Sequence, residues 1–504
     1  MARSLVDRLL AGVGLQRVSM DVGGFRGARS GRLSHAFEAE RRHINSAVAA
    51  GGDMLRARSR FHTREGGLLL AGKDTWVAYA VGTGIQPTWP TLKPKVRQAL
   101  STWFNRWAKS CDFDGRTTYY GLQAQAEREV FEAGEVFVRL IRSTDRPLEL
   151  QLICSEQLPY ECTPAGQLAA GHDIRLGIEF DQRGKRVAYH FYRDHPGDGT
   201  KMTTASNMMR VPAEEILHLY RVEQPGQLRG LPQTRAALVP ANKLDDYDNS
   251  ALERANVGTG FAVFIKREQS DDRPATTGED GPTGDPEINI APGSVIEGAP
   301  GEEVQTISPP DPGNNYDAFT FRQSTRVTAA MGVPYAETTG DLRRANYSST
   351  RAGRQPFRRR VEQRQQFEII PGFCDPVVLA ALADALLRGD VVLPRGASRA
   401  LTAYDNIDHI PQLWEYVDPR GDAEADIMLM DNLLKARSDI AAERGEDAIE
   451  LDEKIQRDQA RARKMGLEKG GKAAAAAPTP AVDPPEDQPE GDDTDDRSRK
   501  DDDA

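Results

Sequence analysis

Residues 292–354 read PGSVIEGAPGEEVQTISPPDPGNNYDAFTFRQSTRVTAAMGVPYAETTGDLRRANYSSTRAGR, and the order of patterns within them constrains the fold. SVIEG and EVQTIS are short β-type runs bounded by turn residues. PPDPGNN separates them from a helix predicted over Tyr316–Met331. Gly332 and Pro334 stop that helix, since a residue before proline is biased away from helical geometry. VPYAETTGDLRRANYSS then reads as a loop, with Arg343 and Arg344 beside the small polar residues Thr338, Thr339 and Gly340. Such a loop can move and can touch phosphates without sequence preference. An Arg-dense helix follows over about 349–370, with a bend expected at Pro356.

Upstream, 228–258 carries helical pattern, with Pro232 suited to a first turn, Gly258 to an end, and Pro240 expected to kink or split it. Between the two helices, residues 268–287 are a polar, Pro/Gly-rich interruption of flexible-loop composition. Residues 36–58, 94–109 and 120–134 read as helices. EVFVRLI (135–141), LELQLI (148–153), DIRLGIEF (173–180) and RVAYHFYR (186–193) read as strands, with DQRGKR (181–186) as a hairpin turn. This region is an α+β domain. The first forty residues are Gly- and Arg-rich and read as a mobile arm. Residues 423–467 are helical with one break at Gly445, and from Gly470 the composition collapses to Ala, Pro and acid, which cannot bury enough apolar surface to fold alone.

The chain has 504 residues and a formal net charge of −11. Asp483–Asp503 contributes −8 of it, so the preceding chain is only mildly acidic and a uniformly basic nucleic-acid coat is excluded. Apolar residues make up 39% of the chain, and the mean hydropathy of −0.57 is that of a polar protein with much surface. No apolar run approaches the ~18–20 residues of a membrane span, and the N-terminus lacks a secretory apolar segment. Cys111, Cys154, Cys162 and Cys374 are too scattered for a disulfide scaffold and read as reduced core thiols.

Enzymatic signals are weak. Gly67–Asp74 (GLLLAGKD) nearly matches a phosphate-binding loop around Lys73. Its flanks are too charged for a central strand, and Asp74 stands where a hydroxyl is needed, so it reads as an apolar turn packed on the core. Asp245, Asp246, Asp248 and Glu253 lie on a predicted helix with Lys243 and Arg254. No His joins them, so they read as a solvated or intersubunit face rather than a metal site. No histidine pair has metal-ligand spacing, and no cofactor motif is present. Between residues 343 and 364 eight arginines oppose only Glu362, a local net of +7. That suits a solvated or salt-bridged face, or contact with a polyanion such as DNA backbone.

The ordered set VGTGIQP (81–87), FDGRTTYYGLQAQAEREVFEAGEVFVRLI (113–141), EEILHLYRVEQPGQLRGLPQTRAAL (214–238), LDDYDNSALERANV (244–257) and residues 292–354 resembles the lambda-type portal proteins of tailed phages, over about residues 40–467. The resemblance implies a ring-forming subunit: a mobile arm (1–40), an α+β wing (41–229), a stem helix (230–257), a small α/β clip (258–315), a second stem helix (316–332), a tunnel loop (333–348), a spoke helix and following segment (349–422), a helical crown (423–467) and a disordered acidic tail (468–504). It implies a homo-oligomer, commonly of twelve, at one capsid vertex, conducting double-stranded DNA without sequence specificity. The implied partners are the terminase large subunit during packaging, head-completion or neck adaptor proteins, and the major capsid and scaffolding proteins. No membrane, cofactor or enzymatic role is implied, and assembly would take place in the host cytoplasm. Thr338, Thr339, Gly340, Asp341, Arg343 and Arg344 are then expected at the channel. Asp245, Asp246, Asp248, Glu253 and Arg254 are expected between stems. The competing readings are a capsid or neck component without a DNA channel and a nucleotide-dependent packaging enzyme built on Lys73.

Overall fold

A computed structural model describes residues 42–467, apart from 163–167, 200–206, 260–262, 268–301, 307–315, 345–346, 413, 415–418 and 445. The expected arm, the 268–287 loop, SVIEG and the acidic tail lie outside the described residues. The described residues begin with α1 (Ile44–Glu65) and α2 (Gly67–Ala80). The GLLLAGKD stretch is therefore helix rather than turn. Its spacing places Leu69, Gly72, Trp76, Val77 and Ala80 on one buried face. β1 (Gln86–Thr88) and α3 (Pro94–Trp107) follow, Pro94 occupying the first turn, where its missing N–H costs nothing. α4 (Tyr119–Ala133) ends at Gly134 in the left-handed region, φ 94°.

Strands β2 (Glu135–Ile141), β3 (Glu149–Ile153), β4 (Asp173–Arg175), β5 (Ile178–Phe180), β6 (Arg186–Tyr192), β7 (Met208–Pro212) and β8 (Ile216–Tyr220) form two antiparallel sheets, ordered β3-β2-β8 and β4-β5-β6-β7. The DIRLGIEF run, expected as one strand, is a hairpin: Leu176 (φ 52°) and Gly177 (φ 81°) turn the chain between β4 and β5. Alternation sends Phe137, Ile153 and Ile216 of the first sheet against Ile178, Phe180, Tyr189, Phe191 and Val211 of the second, a small separate core.

Next come α5 (Leu238–Thr259), the antiparallel pair β9 (Val263–Arg267) and β10 (Glu302–Thr306), and α6 (Tyr316–Met331). Pro240 lies in the first turn of α5 instead of splitting the helix, a position proline tolerates. α7 (Tyr335–Thr339) is a single turn inside the expected loop. α8 (Tyr347–Arg364) continues through a wide π-type stretch, Gln365–Cys374, into α9 (Asp375–Arg388). The wide stretch contains Pro371, whose missing N–H and ring disrupt the regular ladder. This helix is far longer than expected, and from Arg351 to Arg388 it includes a stretch long and apolar enough, by length and composition, to cross a membrane. The apolar-run expectation missed it because Pro371 and Asp375 interrupt the stretch. Half of it is buried in the subunit, where Val377, Val378, Ala381 and Leu382 join Trp76, Trp103, Phe104 and Phe131 in the main core, as a core helix does. β11 (Asp408–Ile410) pairs with β1. The C-terminal region forms α10 (Pro419–Asp431), α11 (Arg437–Glu443) and α12 (Ala448–Met465), with a break at Leu433 (φ 58°) in addition to the one expected near 445. The four cysteines are free, Cys111 and Cys374 buried.

A buried ionic node joins the first sheet to the chain leading into α5. Glu135 accepts from Arg229 Nε (2.7 Å), Gly230 N–H (2.8 Å) and Ser155 Oγ (2.7 Å), and His218 Nε2 lies 3.0 Å away. Glu135 and Arg229 are fully buried. Burial raises the Glu135 carboxyl, but Arg229 and His218 overcome that and hold it well below its usual range. Burial pushes His218 down to about 4, against the pull of Glu135. Its Nδ1 is buried with no partner, which suits a neutral ring donating from Nε2. Because the folded His218 binds a proton less readily than the unfolded one, its stabilisation is complete above about 6.5 and drains away as pH falls toward 4. We expect on the order of 3 kcal/mol to be lost across that window. Denaturant midpoints measured from pH 7 to 4 should fall steeply for the native chain and less for His218→Gln. A flat native profile would contradict the assignment.

Candidate nucleic-acid interface

The expected loop begins where α6 stops. Gly332 (φ 81°) reverses the chain, Pro334 opens α7, and Gly340 (φ 69°) closes it. The first half is pinned. Thr338 is buried, its hydroxyl donating to Pro334 O (2.9 Å). Glu337 binds Tyr79 Oη (2.8 Å) and the Arg354 guanidinium, fixing the turn to α2 and α8. The ring of Tyr335 meets Phe321 of α6 edge-on at 4.9 Å. The exposed part is thus shorter than the sequence suggests and comprises Thr339, Gly340 and Leu342–Arg344, with Asp341 half-buried among them.

Both arginines of this tip are exposed, and both are answered by acid. Asp341 accepts from the Arg343 backbone N–H (3.1 Å), Nε (2.9 Å) and a terminal nitrogen (2.9 Å), and from Tyr335 Oη (3.0 Å). The hydrogen bonds from Arg343 hold the Asp341 carboxyl far below the usual carboxylate range, and Asp341 raises Arg343 in turn. Arg344 pairs with Asp317 and lies 4.2 Å from the centroid of the Phe321 ring, and Arg343 lies 3.6 Å from the same Asp317. Two cations meet two carboxylates, so the isolated tip is locally neutral. Asp317 was not anticipated; only the meeting of α6 with the loop brings it there.

The remaining arginines of the basic run spread around α8 in the manner of a salt-bridged face. Arg364 makes a buried bidentate pair with Glu127 (3.0 and 2.9 Å), which also accepts from Trp76 Nε1 (2.9 Å). Arg351 binds Asp422 (2.8 Å), Arg354 binds Glu337, Arg360 donates to Gly332 O (2.9 Å), and Arg358 lies 5.3 Å from the Trp414 ring. Only Arg343 and Arg344 belong to the loop tip.

Of the stem residues, Asp245, Asp246, Glu253 and Arg254 are exposed. Asp246 is met by Asn242 and Lys243 (3.2 Å each). Asp248 turns inward to accept from Tyr316 Oη (3.0 Å), and Tyr247 packs on Tyr316 and Phe319. Asp248 therefore braces α5 against α6 within one subunit. Lys73 sits mid-helix, 3.0 Å from Glu132 and 3.4 Å from Thr63 O, so its ammonium is engaged and no loop surrounds it to cradle a phosphate. Among the described residues no group of three His, Cys, Asp or Glu could hold a metal ion.

The α5–α6 hairpin thus adjoins an α+β body, with a short loop tip of paired arginines and aspartates at the foot of α6. The model of the phage portal protein lambda family matches residues 30–365, and the chain belongs to that family. It is the channel component of the phage capsid vertex. It is 26% identical to the "Probable portal protein" of Halomonas phage phiHAP-1, over 78% of this chain and 76% of that one. It is 22% identical to portal protein B of Escherichia phage lambda, over 68% and 69%. Among solved structures it is similar to a chain in the neck of an empty gene transfer agent particle computed with C6 symmetry, 14% identical, TM-score 0.43, covering 82% of this chain and 98% of that one.

Proposed function

We propose that twelve copies close into a ring whose axis admits double-stranded DNA, and that the tip Thr339–Arg344 meets the phosphates during passage. The family match across α1 to α8, with two exposed arginines at the foot of α6, is the observation that carries this reading. Repetition around an axis turns each exposed residue into a ring of charge, and screening over about 8–10 Å at physiological salt confines its action to DNA close to the loop. Asp341 and Asp317 moderate that charge. Exposed ion pairs are weak, so a phosphate can borrow Arg343 or Arg344 briefly and release it, which favours passage over tight binding. The subunit itself supplies no chemistry in this reading. A terminase large subunit drives the DNA, neck adaptor proteins later cap the clip side, and major capsid and scaffolding proteins surround the ring as it assembles in the host cytoplasm.

Arg343→Ala/Arg344→Ala should lower packaged DNA per capsid several-fold. Asp341→Asn should act oppositely on contact strength, raising retention of DNA in purified rings and steepening its salt dependence. Native packaging and retention in both variants would remove the loop tip from the DNA path.

A further inference from the structure

The hairpin of α5 and α6 carries two charged faces that the described residues of the subunit answer only weakly. Three sides of α6 can be told apart. Tyr316 and Phe319 face α5 through Tyr247 and Asp248, while Asp317 and Phe321 face the loop tip. Arg322 lies on the remaining side, and Arg326, four residues on, between it and the stripe of Phe319; both are exposed. Neither has a hydrogen-bond or ion-pair partner among the described residues. On α5, the exposed Asp245 and Leu252, the latter 61% exposed, share one flank, and the exposed Asp246 lies further round, away from α6. Asp245 has no ion-pair partner among the described residues, and Asp246 has only the exposed Lys243 one turn away. Burial raises the Asp245 carboxyl, nearby His62 pulls it back, and the charges of Asp248 and Asp246 raise it further. A cation brought to this face would relieve that crowding.

The two faces also stand close in height, Arg322 the nearer of the two arginines to the acidic pair. Antiparallel pairing sets Tyr316 beside Asp248 and Phe319 beside Tyr247. Counting along the two helices from that contact, Arg322 stands level with about residues 242–244, within a turn of Asp245 and Asp246, and Arg326 one turn nearer the root. Rotation about an axis running along the hairpin keeps heights. A ring built head to tail needs two different surfaces on each subunit, and these are two different surfaces of opposite charge.

We propose that Arg322 and Arg326 of each subunit bind Asp245 and Asp246 of the next copy, so that this α6-to-α5 contact sets the direction of closure of the ring. The idea rests on the ring reading above and adds the residues that meet across it. Like charges placed there should oppose association and loosen the contact by roughly tenfold or more.

The test uses two full-length variants, Arg322→Glu/Arg326→Glu and Asp245→Arg/Asp246→Arg, with native mass spectrometry as the readout. All four positions are exposed, so each variant should keep the thermal midpoint of the native subunit. Each alone should fail to form rings. Mixed in equal amounts, they present only opposite charges at every contact and should form rings in which the two variants alternate, in even number. Rings formed by either variant alone would overturn the proposal; if such rings also hold less DNA, the arginines face the channel instead. Failure of the mixture to assemble would overturn it equally. If the native chain forms no ring under the same conditions, the ring reading falls first, and the two failures are thereby told apart.

Discussion

Arg229→Met should cost the subunit about 3–5 kcal/mol, the range for removing one partner of a buried ion pair. Domains are stable by roughly 5–15 kcal/mol, so this one change removes about a fifth of the margin at the least. The guanidinium is fully buried, and besides Glu135 it holds the carbonyls of Leu176 (2.9 Å) and Leu158 (2.9 Å) and covers the Tyr160 ring at 4.5 Å. Removing it leaves the Glu135 carboxylate in a dry site with His218, Ser155 and Gly230 as its remaining hydrogen-bond donors and the more distant Arg56 (3.7 Å) as its cation. Glu135→Leu added to Arg229→Met should recover part of the loss by removing the stranded charge, but not all, since Gly230 N–H and His218 then lack their acceptor. The exposed pair Arg420–Glu424, at 89% and 64% exposure, is the matched control, and breaking it should cost under about 1 kcal/mol. Chemical unfolding of the three variants measures this directly. A loss below about 1 kcal/mol for Arg229→Met would show that the node is not what ties the first sheet to α5.

Gly134→Ala should be nearly as damaging, for a different reason. Gly134 ends α4 with φ 94°, and a Cβ there would lie 2.4 Å from the Leu231 carbonyl carbon and 2.6 Å from its nitrogen. Backbone cannot step aside as a long side chain can. Left-handed strain of about 1–3 kcal/mol then adds to overpacking of about 1–3 kcal/mol, next to the same Glu135–Arg229 node. Gly115 separates the two effects. It has φ 65° but nothing within 4 Å of its would-be Cβ, so Gly115→Ala should show only the backbone strain, about 1–2 kcal/mol. Equal losses at the two positions would mean that the contact with Leu231 is unimportant.

The strand β2 was legible to the residue, because EVFVRLI is apolar, β-branched and bracketed by Gly134 and a polar turn. α6 was legible from Gly332 and Pro334. Failures came where local pattern was ambiguous or tertiary structure decided. LLLA between glycines can be turn or helix, and packing of Gly72 against Met331 selects helix. DIRLGIEF has the composition of one strand, yet Leu176 accepts a positive φ and folds it back. The placement of Arg343 and Arg344 on an exposed loop was legible from composition, but Asp317, the partner of Arg344, is 27 residues away on a helix. The Arg229–Glu135 node spans 94 residues, and no spacing rule connects such positions. Asp248 looked like its neighbours in sequence, and only the arrival of Tyr316 set it apart.

The central claim is closure around an open axis, and electron microscopy of the purified full-length chain with a mass measurement on the same sample tests it most directly. Closure of twelve copies of 55.5 kDa predicts an annulus of about 666 kDa with a hole wide enough for a duplex. Monomers or compact dimers under every assembly condition, and no perforated ring at the capsid vertex, would contradict it.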